Sequence, residues 1–236
     1  MSVKNSIILC TYNEVNYIEK AILEMEKNVS NLELVIVDDF STDGTVEILK
    51  KINQNNKYKI IYRQKSRGLA SAFMRGIIET SGENIGWIDT NMSEEAPRFK
   101  DMEKELNDNN DLVILSRYIK GGGDNRAFLR VFCSRYFNLF CRALLGFSIN
   151  DYTSSIFLMK RKILNEVTLL CYGHGEFFIE FLYKVNKKGF KIKEIPYVQK
   201  KDKDEKNSKS SPNLIRYFYL GLLYVLRVFT SLIRRD

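Results

Sequence analysis

The feature that most constrains this 236-residue chain is the alternation, through its first hundred residues, of short apolar runs with stretches of helical periodicity. Residues 6–10, 32–37, 59–62 and 85–88 are apolar runs of strand length, and residues 15–26, 46–53 and 69–80 between them carry apolar side chains at helical spacing. Strands and helices alternating at this length build βαβ units, hence a mainly parallel sheet covered by helices. Ligands in such sheets bind beyond the carboxyl ends of the strands. Polar residues gather at those ends: Thr11-Tyr12-Asn13-Glu14, then Asp38-Asp39, then Asp89-Thr90-Asn91. The site is expected there.

Further along, residues 112–115 form another apolar run leading into Ser116-Arg117-Tyr118 and three glycines, 121–123. A basic helical stretch over 127–145, an apolar run over 152–159, a helix around Glu180 and a strand near 192–197 follow. Residues 200–211 are rich in Lys and poor in apolar residues and read as a mobile loop, with Ser211-Pro212 as a helix start. The expected organisation is one catalytic domain over 1–199, a basic loop over 200–211 and an amphipathic helix over 212–236. No charged segment followed by an apolar core precedes the first strand, so a cytoplasmic chain without a secretory signal is expected. Four scattered cysteines and a single His174 offer no zinc set.

Lys plus Arg exceed Asp plus Glu by 37 to 29, a net charge of +8 that suits an anionic partner. Asp38 and Asp39, emerging together from a strand, suit the base and ribose of a nucleotide, whereas Asp43 reads as a turn residue. Asp89, Asn91 and Ser93 lie at alternate positions, so in an extended chain three oxygen ligands face one way, as Mg²⁺ or Mn²⁺ on a diphosphate requires. Arg117, Arg126, Arg130, Arg135 and Arg142 are interleaved with Phe128, Phe132, Tyr136, Phe137 and Phe140, a pattern of lipid-facing amphipathic helices or of nucleic-acid binders. Arg130 and Ser134, four apart, share a helical face and one phosphate. No nucleic-acid-binding motif accompanies the charge, so nucleic acid is not expected as a partner.

Residues 214–233 are apolar but carry Arg216 and Arg227; at mid-bilayer the second costs about 2.5 to 3.5 kcal/mol. Arg216, Arg227 and Arg234 fall within roughly 20° of one helical stripe. A helix lying on the membrane surface fits better than a span, and a helix packed on the chain's own core is the alternative.

These motifs, with Arg67-Gly68-Leu69-Ala70, Gly76, Asp151-Tyr152-Thr153-Ser154-Ser155 and Glu180 ahead of Gly189, together resemble the family 2 glycosyltransferases, specifically the dolichol-phosphate mannose synthase and polyprenyl-phosphate glycosyltransferase branch. The resemblance runs nearly end to end. It implies a single-domain, Rossmann-like glycosyltransferase-A α/β fold with a C-terminal amphipathic helix. It further implies that Thr11, Tyr12, Glu14, Asp38, Asp39, Arg67 and Gly68 hold a GDP- or UDP-linked sugar, with Lys203 and Lys209 beside its diphosphate. Asp89, with Asn91 and Ser93, would hold Mg²⁺ or Mn²⁺, and Arg117, Arg130 and Ser134 would hold a polyprenyl phosphate, dolichyl or undecaprenyl. The chain departs from the family pattern where the usual Asp-x-Asp reads Asp89-Thr90-Asn91, and where the usual Arg and Gly before Ser208-Lys209 are Lys203 and Lys206.

The implied reaction is an inverting displacement by the lipid phosphate on the cytoplasmic face of a membrane, with a membrane partner subunit left open. Transfer to a sugar hydroxyl, with Glu176 or Glu180 as base, and a non-catalytic nucleotide-sugar-binding scaffold are the alternatives.

Overall fold

The computed structural model describes residues 4–65, 67–201 and 214–234, with side chains of the last segment described from Tyr219 onward. Strands β1 (Asn5–Thr11), β2 (Leu32–Asp38), β3 (Lys59–Tyr62), β4 (Asn84–Trp87), β5 (Leu112–Ser116), β7 (Phe157–Lys160) and β8 (Ile192–Pro196) form one seven-stranded sheet in the order β3-β2-β1-β4-β7-β5-β8. All neighbours are parallel except β7, which runs antiparallel between β4 and β5. β6 (Gly123–Asp124) and β9 (Val198–Gln199) pair as a short separate ribbon. The helices are α1 (Ile18–Asn28), α2 (Thr45–Ile52), α3 (Leu69–Glu79), α4 (Arg98–Asn107), α5 (Phe128–Leu145), α6 (Phe177–Lys187) and α7 (Leu214–Ile233), with 3₁₀ turns at Thr90–Glu95 and Arg161–Asn165.

Central strands of a sheet covered on both faces must be apolar at every position, and residues 34–37 and 112–115 are. Alternate side chains feed two cores. Ile7, Leu9, Leu34 and Ile36 pack with Ile22, Phe99 and Met102 beneath α1 and α4. Ile8, Val35, Val37 and Trp87 pack on the opposite face with Phe73, Phe157 and Phe177 beneath α3 and α6. There, aromatic rings stack in sequence: Phe73 on Trp87 at 5.2 Å, and Trp87 on Phe177 at 5.7 Å. Gly76 lets α3 settle on the sheet, since a β-carbon there would lie 2.6 Å from Ile8. The strand ends at Thr11, Asp38 and Trp87 open on one edge, as the alternation of elements implies.

The tail departs from the sequence expectation in one respect. Helix α7 packs against α5 and α6, burying Val228 and Ser231. Its Arg227 turns inward, its guanidinium 3.2 Å from the buried Glu180 carboxylate of α6, and Arg234 lies 3.9 Å from the same carboxylate. The arginines at 227 and 234 therefore face the protein instead of flanking a lipid-facing stripe, because an ion pair shielded by packing is available on that side. Arg216 lies outside the residues whose side chains are described. The outer face of α7 remains apolar, with Tyr219, Leu222, Leu226, Phe229 and Ile233 exposed. Among the described residues no helix is long and apolar enough to cross a membrane.

Candidate active site

One side of the edge is built from three loops that hold one another. Asp38, ending β2 and fully buried, accepts the Ser41 N–H at 2.9 Å and the Ser41 hydroxyl at 2.5 Å. Ser41 Oγ in turn accepts the Asn13 N–H at 2.8 Å. Phe40, between the carboxylate pair and Ser41, adopts φ +62 with its ring exposed. A left-handed aromatic residue is a rare conformation, sustained here by bonds on both sides of it. Asp43 ties the loop to its neighbours, accepting the Thr45 hydroxyl and the Val15 N–H, as expected of a turn residue. Burial works against its charge, but these bonds outweigh it and hold its pKa below the ordinary value.

Asp39 is gripped by Arg63, whose Nε and Nη2 lie 2.6 and 2.7 Å from its two oxygens, and by the Gly68 N–H at 2.8 Å. Gly68 takes φ +143, which frees its N–H to point at the carboxylate as α3 begins. Arg67 stacks on the Tyr12 ring at 4.6 Å and donates to its hydroxyl at 3.0 Å. Thr11, Tyr12, Glu14, Asp38, Asp39, Arg67 and Gly68 thus converge at one edge of the sheet. Arg63 belongs with them, and its only sequence signal is a cation immediately after the β3 strand.

Asp89 follows β4 at the same edge. It and Asp39 both raise the pKa of the Cys10 thiol, after desolvation itself, so the thiol feels both carboxylates. Residues 90–95 do not continue extended but coil into a 3₁₀ turn. With three residues per turn, alternate positions diverge. Ser93 is buried with Thr90 while Asn91 is exposed, so the turn does not hold Asp89, Asn91 and Ser93 on one face as an extended chain would. Among the described residues no cluster of three Asp, Glu, His or Cys could hold a metal. One carboxylate and one amide oxygen are the kind of donors a hard divalent ion takes.

The other side of the edge is organised by Arg117, at the end of β5 and only 5% exposed. Its Nε and Nη2 donate to Asp151 at 2.8 and 2.7 Å, its Nη2 also to the Thr153 hydroxyl, and its Nη1 to Gln199. Burial disfavours the guanidinium charge, yet Asp151 outweighs it and raises the pKa above the ordinary value. Arg117, expected to hold a phosphate, is buried and bonded to Asp151, Thr153 and Gln199. Arg126 is likewise committed, bidentate to Asp124 at 2.9 and 2.6 Å. Tyr118, beneath the Arg117 guanidinium, donates to Ser134 Oγ at 2.7 Å, so Arg117 and Ser134 are brought together through the Tyr118 side chain. Arg130 lies one turn before Ser134 on α5, half-buried. Lys203 and Lys209 lie outside the described residues.

Residues 6–168 match Glycosyl transferase family 2. The chain is 28% identical over 224 residues to the dolichol-phosphate mannosyltransferase of Pyrococcus furiosus, covering 92% of this chain and 63% of that protein. It thus spans less than two thirds of that relative's length. It is 24% identical over 198 residues to the polyprenol monophosphomannose synthase of Mycolicibacterium smegmatis, covering 80% of this chain and 75% of that protein. Among solved structures, glucosyl-3-phosphoglycerate synthase from Mycobacterium tuberculosis in complex with uridine diphosphate superposes with a TM-score of 0.72 at 18% identity, covering 99% of this chain and 81% of that one. The same enzyme has been crystallised with Mn²⁺ or with Mg²⁺ beside uridine diphosphate. The likeness in structure establishes the glycosyltransferase-A fold, and the family match covers well over half of the sequence: the chain belongs to glycosyl transferase family 2 and is a glycosyltransferase.

Proposed function

We propose that this glycosyltransferase moves a sugar from a nucleotide-sugar to a polyprenyl phosphate at a membrane surface. The observation that carries the reading is helix α5. Its Phe128, Phe132, Tyr136 and Leu139 recur at helical spacing and are exposed, Phe128 by 83%, while Arg130 and Ser134 lie on the same helix beside the site. An apolar stripe of this size facing water is characteristic of a surface that meets lipid or a partner. The outer face of α7 adds to it, since the two helices touch through Phe137 against Tyr224 and Phe140 against Phe229. A polyprenyl phosphate carries its charged head at the bilayer surface, where such a helix pair would hold it. The names of the two relatives, a dolichol-phosphate mannosyltransferase and a polyprenol monophosphomannose synthase, support the same acceptor class.

In this reading Asp38 and Asp39, fixed by Ser41 and Arg63, receive the nucleoside, and Tyr12 with Arg67 closes over it. Asp89 and Asn91 would hold a divalent ion on the diphosphate, which neutralises charge there. The acceptor is a phosphate monoester with a second pKa of about 6, so it is largely ionised at neutral pH and needs no general base. Arg130 pairs with that phosphate. Ser134 Oγ, already accepting from Tyr118, keeps its own proton to donate. One phosphate oxygen attacks the anomeric carbon, the bond from that carbon to the diphosphate oxygen breaks, and the nucleoside diphosphate departs with inversion. The buried positive field of Arg117 favours the anionic acceptor without a direct contact.

Transfer to a sugar hydroxyl is less well supported, because the two carboxylates it would use are engaged. Glu180 pairs with Arg227 and Lys184, and Glu176 accepts the His174 N–H at 2.8 Å. The test is to incubate the protein in detergent with a panel of nucleotide-sugars and, in separate arms, a polyprenyl phosphate, a sugar and 3-phosphoglycerate. Mass spectrometry then identifies the product. A glycosylated lipid phosphate is expected; product in another arm alone refutes the reading.

A further inference from the structure

Helix α7 does more than present an apolar face. Its Tyr224 reaches inward between α5 and the loop preceding α6, where the ring packs edge-on against Phe137 at 5.8 Å. The phenol oxygen lies against Gly175, so closely that a β-carbon on that residue would sit 2.4 Å from it. Burial, Glu176 and Asp89 each push the phenol pKa up, against a smaller opposing effect of the Gly175 backbone. The hydroxyl therefore lies in the field of the carboxylate that follows β4.

The loop it touches is wired into the site from both ends. Upstream, the Gly173 carbonyl accepts the Ala70 N–H at 3.4 Å, in the first turn of the helix whose Gly68 holds Asp39. Within it, Glu176 turns back to accept the His174 N–H, and downstream Phe177 stacks on Trp87, two residues before Asp89. A second contact from the tail joins the same loop, with the Arg227 guanidinium 5.0 Å over the Tyr172 ring and Arg234 donating to the Tyr172 hydroxyl at 3.0 Å. These grips share one consequence: where α7 sits fixes where residues 172–176 sit, and with them the approach to Asp89.

We propose that Tyr224 is a positioning residue for sugar transfer, its hydroxyl clamping the Gly173–Glu176 loop against the reacting end of the donor site, so that the C-terminal helix is an integral part of the catalytic centre. The proposal rests on the donor-site reading given above. Asp38 and Asp39 have their own anchors in Ser41 and Arg63, so loss of the clamp should affect turnover while sparing nucleotide affinity.

The experiment compares full-length protein in detergent with Tyr224→Phe, which keeps the ring and removes the hydroxyl, and with Gly175→Ala and the double variant. Hydrogen exchange at the amides of residues 174–176, uridine and guanosine diphosphate binding by calorimetry, and steady-state kinetics are read together; binding stoichiometry counts the folded sites. For Tyr224→Phe, exchange should rise by up to roughly tenfold as the loop loosens, and kcat should fall about five- to tenfold. Diphosphate affinity should stay within about twofold, because the anchors of Asp38 and Asp39 are untouched. Gly175→Ala should reproduce the defect, and the double variant should be less impaired than Gly175→Ala alone, since removing the hydroxyl makes room for the new methyl group. Unchanged exchange with unchanged kcat overturns the proposal, as does a loss of affinity equal to the loss of kcat. If the wild-type protein binds neither diphosphate, the donor-site reading fails instead, and the exchange measurement still decides whether Tyr224 clamps the loop.

Discussion

Removing the Asp151 carboxylate should unfold the protein at much lower temperature than any surface substitution. Arg117 and Asp151 are 4% and 0% exposed in their side chains, and their closest approach is 2.7 Å. The other carboxylate near Arg117, Asp124, stands 3.7 Å away and is already bidentate to Arg126. Asp151→Ala would therefore leave a desolvated guanidinium with no dedicated counter-charge. It would also orphan the Arg117 and Thr153 N–H groups that the carboxylate now accepts. Breaking a buried pair from one side costs about 3 to 5 kcal/mol, against a total stability of about 5 to 15 kcal/mol. For a domain of this size that is a fall in Tm of roughly 6 to 20 °C. Thermal and urea melts of Asp151→Ala, Asp151→Asn and the pair Arg117→Met with Asp151→Asn measure it. The double variant should recover part of the loss of Asp151→Asn, because the stranded charge is gone. On the proposed role of Arg117 toward the acceptor, the recovered protein should remain poor in transfer. An Asp151→Ala protein that melts within about 2 °C of wild type would refute the claim that this pair is buried and committed.

Asp89→Ala should abolish transfer while the protein stays folded, and Asn91→Asp should tighten Mg²⁺ or Mn²⁺ binding in the presence of nucleoside diphosphate, as calorimetry reads. Arg130→Ala should raise the KM for the phosphate-bearing acceptor by roughly tenfold or more, the scale of a charge-assisted contact, with the donor KM little changed. Phe132→Asp on the exposed stripe of α5 should release the protein from anionic liposomes in a sedimentation assay without shifting Tm. At the far end of the sheet, the Glu33 pKa is lowered to about 2, because Lys59, Ser6 and Ser81 together outweigh its burial. A carboxylate lowered on folding contributes stability that is full above its unfolded value, near 4.5, and is lost as pH falls toward 2. Glu33→Gln should accordingly flatten the acid limb of the stability curve between those pH values.

The sheet was legible because its strands are apolar at consecutive positions and its helices at helical spacing; β1 to β4 fall within about one residue of the apolar runs. The antiparallel insertion of β7 between β4 and β5 was not legible, since a fully buried strand shows the same apolar run whichever way it points. On the donor side, Asp38, Asp39 and Asp89 announce themselves as charges at strand ends, but Arg63, the partner of Asp39, lies in a different loop and has no motif of its own. Ser93 misled because alternate spacing signals one face only in extended chain, and the chain turns 3₁₀ after Asp89. Arg117 was found as a residue but not as a state: its Nε, Nη1 and Nη2 are engaged by Asp151, Gln199 and Thr153, all far away in sequence.

The tail shows most clearly why sequence pattern underdetermines a helix that has two apolar neighbours. An arginine stripe beside an apolar face reads as a helix lying on lipid with its cations at the headgroups. The same stripe, once α6 supplies a buried Glu180, becomes a docking key: Arg227 reaches it at 3.2 Å, Lys184 lies 3.2 Å from it within α6, and Tyr172 covers the guanidinium. A buried charge pair contributes little net stability against an apolar replacement, but it penalises wrong registers, because a helix shifted by one turn would strand Arg227 and leave Glu180 to Lys184 alone. For α7 one penalised alternative is a helix rotated so that Leu222, Leu226 and Phe229 turn inward. Holding Leu222, Leu226 and Phe229 outward therefore requires a polar lock on the inner side, and Glu180 with Arg227 is that lock. The pairing thus bears on both proposals for the helix: it turns the apolar face outward, and it sets Tyr224 in register against Gly175.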